Sequence, residues 1–135
     1  MAAQDVPEQG QPSDPNEAVH VIAASLDYLR GLTLLERRFG PEHPKVAQCL
    51  DGIARLCRDL GRLDDAEVLL RRAVAILERH VGPENLDLAA VLENLTVLLY
   101  ESGRDDEAGA LFDRAKAARD AQARLEHAPH RESGA

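Results

Sequence analysis

The residues of this chain that could do chemistry are five histidines, two cysteines and several runs of acids, and their spacing decides whether they do. His20, His43, His80, His127 and His130 never fall in the H-x-x-x-H or H-E-x-x-H pattern that sets imidazoles on one helix face around a metal, and Cys49 and Cys57 do not form a C-x-x-C pair. On one helix, at ~1.5 Å per residue, those thiols stand about 12 Å apart, beyond disulfide reach. They read as buried small hydrophobes. His127-x-x-His130, with Glu126 and Glu132, has ligating atoms but sits in a Pro-containing, Gly-ending tail with no scaffold. No glycine-rich phosphate loop is present, and Asp64-Asp65 and Asp105-Asp106-Glu107 open helices, where negative charge complements the macrodipole. The stretch that most resembles a catalytic loop is "FGPEHPKVAQCL", Phe39 to Leu50, but Gly40 stops one helix, Pro41 prevents it resuming, His43 sits at the cap and Pro44 starts the next, so it reads as a hinge. Neither an enzyme nor a cofactor is expected.

Composition narrows the field in the same direction. With 135 residues and 44% hydrophobic side chains the chain suits one domain, and its four aromatics, Tyr28, Phe39, Tyr100 and Phe112, leave an aliphatic core. A formal charge of −8 opposes binding to nucleic acid phosphates and to anionic membranes. The N-terminal "MAAQDVPEQGQPSDP" has no basic or apolar targeting region, and no apolar run reaches the roughly 20 residues that cross a bilayer. A cytoplasmic protein is expected.

The elements that position these residues repeat. "GPEHPKVAQCL" at Gly40 returns as "GPENLDLAAVL" at Gly82, a period of 42 residues, and 13 of the 34 positions from Gly40 to Ala73 are identical to their counterparts. One period earlier, "LLERRFGPE" at Leu34 matches "ILERHVGPE" at Ile76, so half of a further unit is present. Val46, Cys49, Leu50, Ile53, Ala54, Cys57 and Leu60 recur at helical spacing before Gly61, and Ala66, Leu69, Leu70, Ala73, Ile76 and Leu77 do so before Gly82. The second unit repeats this with Leu88, Val91, Leu92, Leu95, Leu98 and Leu99 before Gly103, while Asp14-Pro15-Asn16-Glu17 caps a first helix. Five helices are predicted, over 14–126, flanked by disordered segments at 1–13 and 127–135.

The spacing Leu50, Ile53-Ala54, Cys57, Gly61, Leu63, Ala66, Leu70, Ala73 resembles the tetratricopeptide repeat, and Leu92, Leu95-Thr96, Leu99, Gly103, Ala108, Phe112, Ala115 resembles it again. The 42-residue period and the "GPEHP" linker are similar to the kinesin light chain type of that repeat. Cys57 and Leu99 replace its usual tyrosine, Thr96 replaces a small residue, and Asp105 stands where Leu63 is apolar. The resemblance implies an all-α, right-handed solenoid of about two and a half units, close helix packing at Ala54, Ala66, Ala73, Ala108 and Ala115, and a concave groove that holds a peptide. By position, that groove presents Gln48, Asp51, Gly52, Arg55, Arg58, Ala90, Glu93, Asn94, Val97 and Tyr100. Asn94 keeps an amide that both donates and accepts, and Gly52 lacks it. Asp51 and Glu93 stand where carboxylate-clamping repeats carry lysine, so a basic or mixed-charge ligand fits better. Asp51 and Arg55 also form an ordinary i,i+4 pair.

The expected function is thus a non-enzymatic adaptor for a protein or peptide partner, the alternatives being a self-associating structural module and a small chaperone. Val19, Ile22, Leu26, Leu29 and Leu32 stripe the first helix, which lacks a partner helix of its own unit, and suggest a homo-oligomer. At the other end Lys116, Ala118 and Arg119 replace Val74, Ile76 and Leu77, as in the polar terminal face of a repeat array.

Overall fold

The computed structural model describes residues 15–127, with side chains at 19, 20 and 23–127. Five helices follow one another: α1 (Pro15–Phe39), α2 (Pro44–Asp59), α3 (Leu63–His80), α4 (Leu86–Glu101) and α5 (Asp105–Glu126). Asp14, the expected cap of α1, and the 1–13 segment lie outside the described residues, as does the tail beyond His127.

Each helix ends where the local chemistry dictates. Gly40, Gly61 and Gly103 have φ of 88°, 76° and 76°, the left-handed geometry that an L side chain resists after a helix. Gly82 departs from this: α3 leaves through Val81 in an extended conformation (φ −133°), so glycine there needs no positive φ. Pro44 begins α2, where its missing N–H costs nothing.

Packing follows the repeat. α2 lies on α3 and α4 on α5 within units, and α1 on α2 and α3 on α4 between units, while α2 and α4 touch along a narrow line. α2 and α4 therefore form one layer, and α1, α3 and α5 the other. The five alanines at the expected close approaches are all buried, and Leu50, Ile76, Leu92, Leu95, Leu98 and Leu99 fill the space between them. Thr96 is buried too, its hydroxyl satisfied by donating to the Leu92 carbonyl at 2.8 Å. Asp105 is the exposed first residue of α5, whereas its counterpart Leu63 packs on the core.

The ends of the stack differ from its middle. α1 starts six residues before the position, Val21, that corresponds to the starts of α3 and α5. Leu34 is 65% exposed although its counterpart Ile76 is fully buried, because no helix of its own unit covers it. At the far end α5 carries the expected charged positions, and Arg119 and Gln122 reach back to Glu93 and to the Glu84 carbonyl. Phe112, the counterpart of buried Leu70, interrupts that polar face because no further helix packs on it. Leu95→Ala is expected to cost about 2–5 kcal/mol in urea denaturation, whereas Leu125→Ala, on the surface, stays within about 0.5 kcal/mol.

Candidate functional site

The loop-like stretch at Phe39 proves to be a joint. Phe39 ends α1, its ring stacks on His43 at 4.5 Å, and the His43 Nδ1 accepts from the Lys45 N–H at 3.1 Å as the N-cap of α2. Asn85, the counterpart of His43, accepts from both Asp87 and Leu88 N–H groups, at 2.8 and 3.1 Å. The imidazole thus does a structural task that an amide does better. Both thiols are pushed above the ordinary range, Cys49 by burial and then by Glu36, Cys57 by burial and then by Asp65 against Arg62. A thiol held protonated is a poor nucleophile. No group of three metal-ligating side chains gathers among the described residues, and none of their helices is long and apolar enough to cross a membrane.

What α2 and α4 present together is a shared surface. Asn94 Nδ2 donates to Asp51 at 2.7 Å, a hydrogen bond spanning two units. Arg55 lies 3.8 Å from the same carboxylate, in the anticipated i,i+4 pair. Arg58 is drawn to Glu101 of α4 at 3.2 Å, and Glu93 accepts two hydrogen bonds of 2.6 Å from Arg119. Gln48, Arg55, Val97 and Tyr100 are exposed. The charges on this face are largely paired with one another, and Asn94 has spent one N–H while its Oδ1 and second N–H are what it offers a ligand.

Two of these contacts come from residues that the repeat pattern does not single out. Glu93 corresponds to Asp51, whose partner is the amide of the next unit; at Glu93 it is Arg119 of the lengthened α5 that takes that place. Gly52, the counterpart of Asn94, underlies Tyr28: a Cβ there would lie 2.3 Å from the ring's Cε1. The missing side chain makes room for an aromatic from α1. The signal was present as the coincidence of a glycine in mid-helix and an aromatic at the facing position of the preceding unit. Of the α1 stripe, Val19, Leu26 and Leu29 are exposed and Leu32 is half-buried, while the side chain of Ile22 lies outside the described residues.

The outer layer is tied by ion pairs that follow the period. Arg72–Glu36 at 3.4 Å recurs as Arg114–Glu78 at 3.3 Å. Between α3 and α5, Glu67 and Glu107 each contact both Arg71 and Arg104, in a closed ring of four. Burial would raise the Glu67 carboxyl, but hydrogen bonds from Arg71 and Arg104 outweigh it and hold it below the ordinary range. Glu107 is lowered by hydrogen bonds from Arg104 and then Arg71, and Glu93 by those from Arg119 against a smaller effect of burial.

Comparison with known proteins agrees with this geometry. Residues 27–79 match the tetratricopeptide repeat family model. Among the 27 solved chains that match is BtubC (BKLC) from P. vanneervenii, 25% identical, with a TM-score of 0.71 over 89% of this chain and 48% of that one. The chain thus spans about half the length of that protein. No curated protein sequence matches. The chain folds as an all-α solenoid of tetratricopeptide-repeat type, with the family's match confined to residues 27–79. More narrowly, the neighbour is itself a kinesin light chain-like member of that class.

Two outcomes check the site's energetics. Glycine costs a helix interior about 1 kcal/mol relative to alanine, so Gly52→Ala should stabilise by that amount in a Tyr28→Ala background and lose the gain when the ring is present. Urea titrations of the four proteins read this directly. For the carboxylates, a lowered native pKa gives stability that is present above the ordinary value of 4.5 and is lost as pH falls below it. Arg104→Gln is expected to flatten the decline in stability between pH 7 and pH 3, as followed by circular dichroism.

Proposed function

We propose that the chain is a protein-interaction adaptor that holds an extended peptide segment of a partner across α2 and α4. The observation that carries this reading is the 2.7 Å bond between Asp51 and Asn94, which joins the first helices of successive units into one continuous surface. A peptide crossing that line meets the Asn94 amide, suited to pairing with a backbone, flanked by the apolar sides of Val97 and Tyr100 and the amide of Gln48. Arg55 and Arg58 on one side and Asp51 and Glu93 on the other give the surface both signs of charge. A ligand of mixed or basic character fits it, and a free C-terminal carboxylate does not, because Asp51 and Glu93 would repel it.

The test is fluorescence anisotropy against a library of labelled peptides drawn from the host proteome. Asn94→Ala combined with Arg55→Glu should weaken the bound peptide by about tenfold or more, the cost of roughly one buried hydrogen bond and a reversed charge. Asn94→Ala alone is the control, measured where urea denaturation shows it fully folded. If it then binds the peptide as tightly as the native chain, Asn94 does not meet the peptide, and the reading fails.

A further inference from the structure

The two junctions of the outer layer are built from the same positions and closed by opposite means. Between α3 and α5 the closure is the ring of Glu67, Arg71, Arg104 and Glu107. One period earlier, between α1 and α3, those positions read Ser25, Leu29, Arg62 and Asp65. Arg62 and Asp65 still pair, at 3.0 Å, but α1 supplies a leucine in place of the arginine that would complete the ring. Where the ring would stand there is instead a cavity of about 570 Å³, walled by Leu26 and Leu29 of α1, Cys57 of α2 with Leu60 just after it, and Val68 and Leu69 of α3. Val19, Leu26, Leu29 and Val68 are 63%, 51%, 48% and 68% exposed beside it, whereas one unit later Leu29 gives way to Arg71 and Val68 to the small Ala110.

The polarity of α1 is therefore reversed relative to α3. On the side facing the preceding unit, α1 has Asp27 where Leu69 and Leu111 stand in the other two units, so this end is not built to receive a further helix. On the side facing α3 it is apolar. Val19, Ile22, Leu26 and Leu29 are spaced three, four and three residues apart in the sequence, the seam that two helices share when they pair side by side. The early start of α1 lengthens that seam at its N-terminal end.

We infer that this seam and cavity are the interface with a second copy of the chain, α1 lying antiparallel to α1 about a two-fold axis. The spacing of the seam points to a helix as the occupant. Charge permits a second copy: the chain carries −8, but the charged residues that wall the cavity among those described, Arg62 and Asp65, pair with each other, so the patch itself adds no repulsion. One patch supplies both the projecting leucines and the hollow that takes them, as an isologous interface requires. The polar 1–14 segment, with only Met1, Ala2, Ala3 and Val6 as apolar side chains, is a poor filling for the cavity.

The test converts the first junction into the second. Ser25→Glu with Leu29→Arg installs the residues that Glu67 and Arg71 provide at the closed junction, opposite the Arg62 and Asp65 already present. Sedimentation equilibrium of the full chain at high micromolar concentration should give a dimer for the native protein and a 14.7 kDa monomer for the double variant, with unchanged helical circular dichroism. An independent readout uses Cys57 in the cavity wall, in a Cys49→Ala background. Its alkylation rate should fall about tenfold between dilute and concentrated protein as mass action fills the interface, and should not change in the double variant. A native protein that stays monomeric with a concentration-independent Cys57 rate overturns the inference, including when some other molecule occupies the cavity. So does a double variant that dimerises as tightly as the native chain. Neither result bears on peptide binding at Asn94, which is read separately.

Discussion

Everything in this molecule depends on how closely its helices approach at five alanines. Ala66 and Ala73 recur as Ala108 and Ala115, Ala54 has the buried Thr96 as its counterpart, and these small residues let neighbouring helices pack with leucine and isoleucine side chains filling the remaining gaps. A long side chain at one of these alanines would force the layers apart and carry the longer-range contacts with it. The Asp51–Asn94 bond, the Arg72–Glu36 and Arg114–Glu78 pairs and the four-membered ring reach across units only because the backbones beneath them are held at that distance. The polar contacts are mostly exposed, and each contributes little to stability on its own. Their effect is on register and on what the surface offers to a partner.

The two layers divide the work. α2 and α4 carry a surface whose charges are satisfied internally, which leaves an amide, an aromatic and an aliphatic side chain as its distinctive groups. α1, α3 and α5 form a tied outer wall, complete at one junction and incomplete at the other. The lengthened α5 folds Arg119 back onto Glu93 and so supplies on α4 the contact that Asn94 makes to Asp51 on α2.

The fold was legible because a period of 42 residues, once seen, fixes helix number, helix order and the buried alanines together. The joints were legible as well: proline, glycine and a capping side chain act within a few residues of one another, so Pro44, His43 and Gly40 behave as their local chemistry demands. The pairing of long side chains was not. Glu93 with Arg119 and Arg58 with Glu101 join residues 26 and 43 positions apart, and a repeat pattern shows that their helices are neighbours without showing which rotamer reaches which carboxylate. Gly52 was read as a lost hydrogen-bonding group. Its physical reason is the Tyr28 ring lying over it, which becomes visible only when α1 is placed on α2. Leu34 was not singled out either, since its apolar character repeats faithfully and only the absence of a covering helix exposes it.

The contrast between the junctions gives the solenoid two hinges with opposite responses to salt. The ring of Glu67, Arg71, Arg104 and Glu107 is held by exposed charges, and added ions screen it. The apolar junction beside Leu29 carries only the Arg62–Asp65 pair at its edge, and excluded salts strengthen the burial of its side chains. Raising the ionic strength with such salts therefore slackens one half of the outer wall while tightening the other. The balance of cohesion between the two junctions thus varies with the surrounding electrolyte.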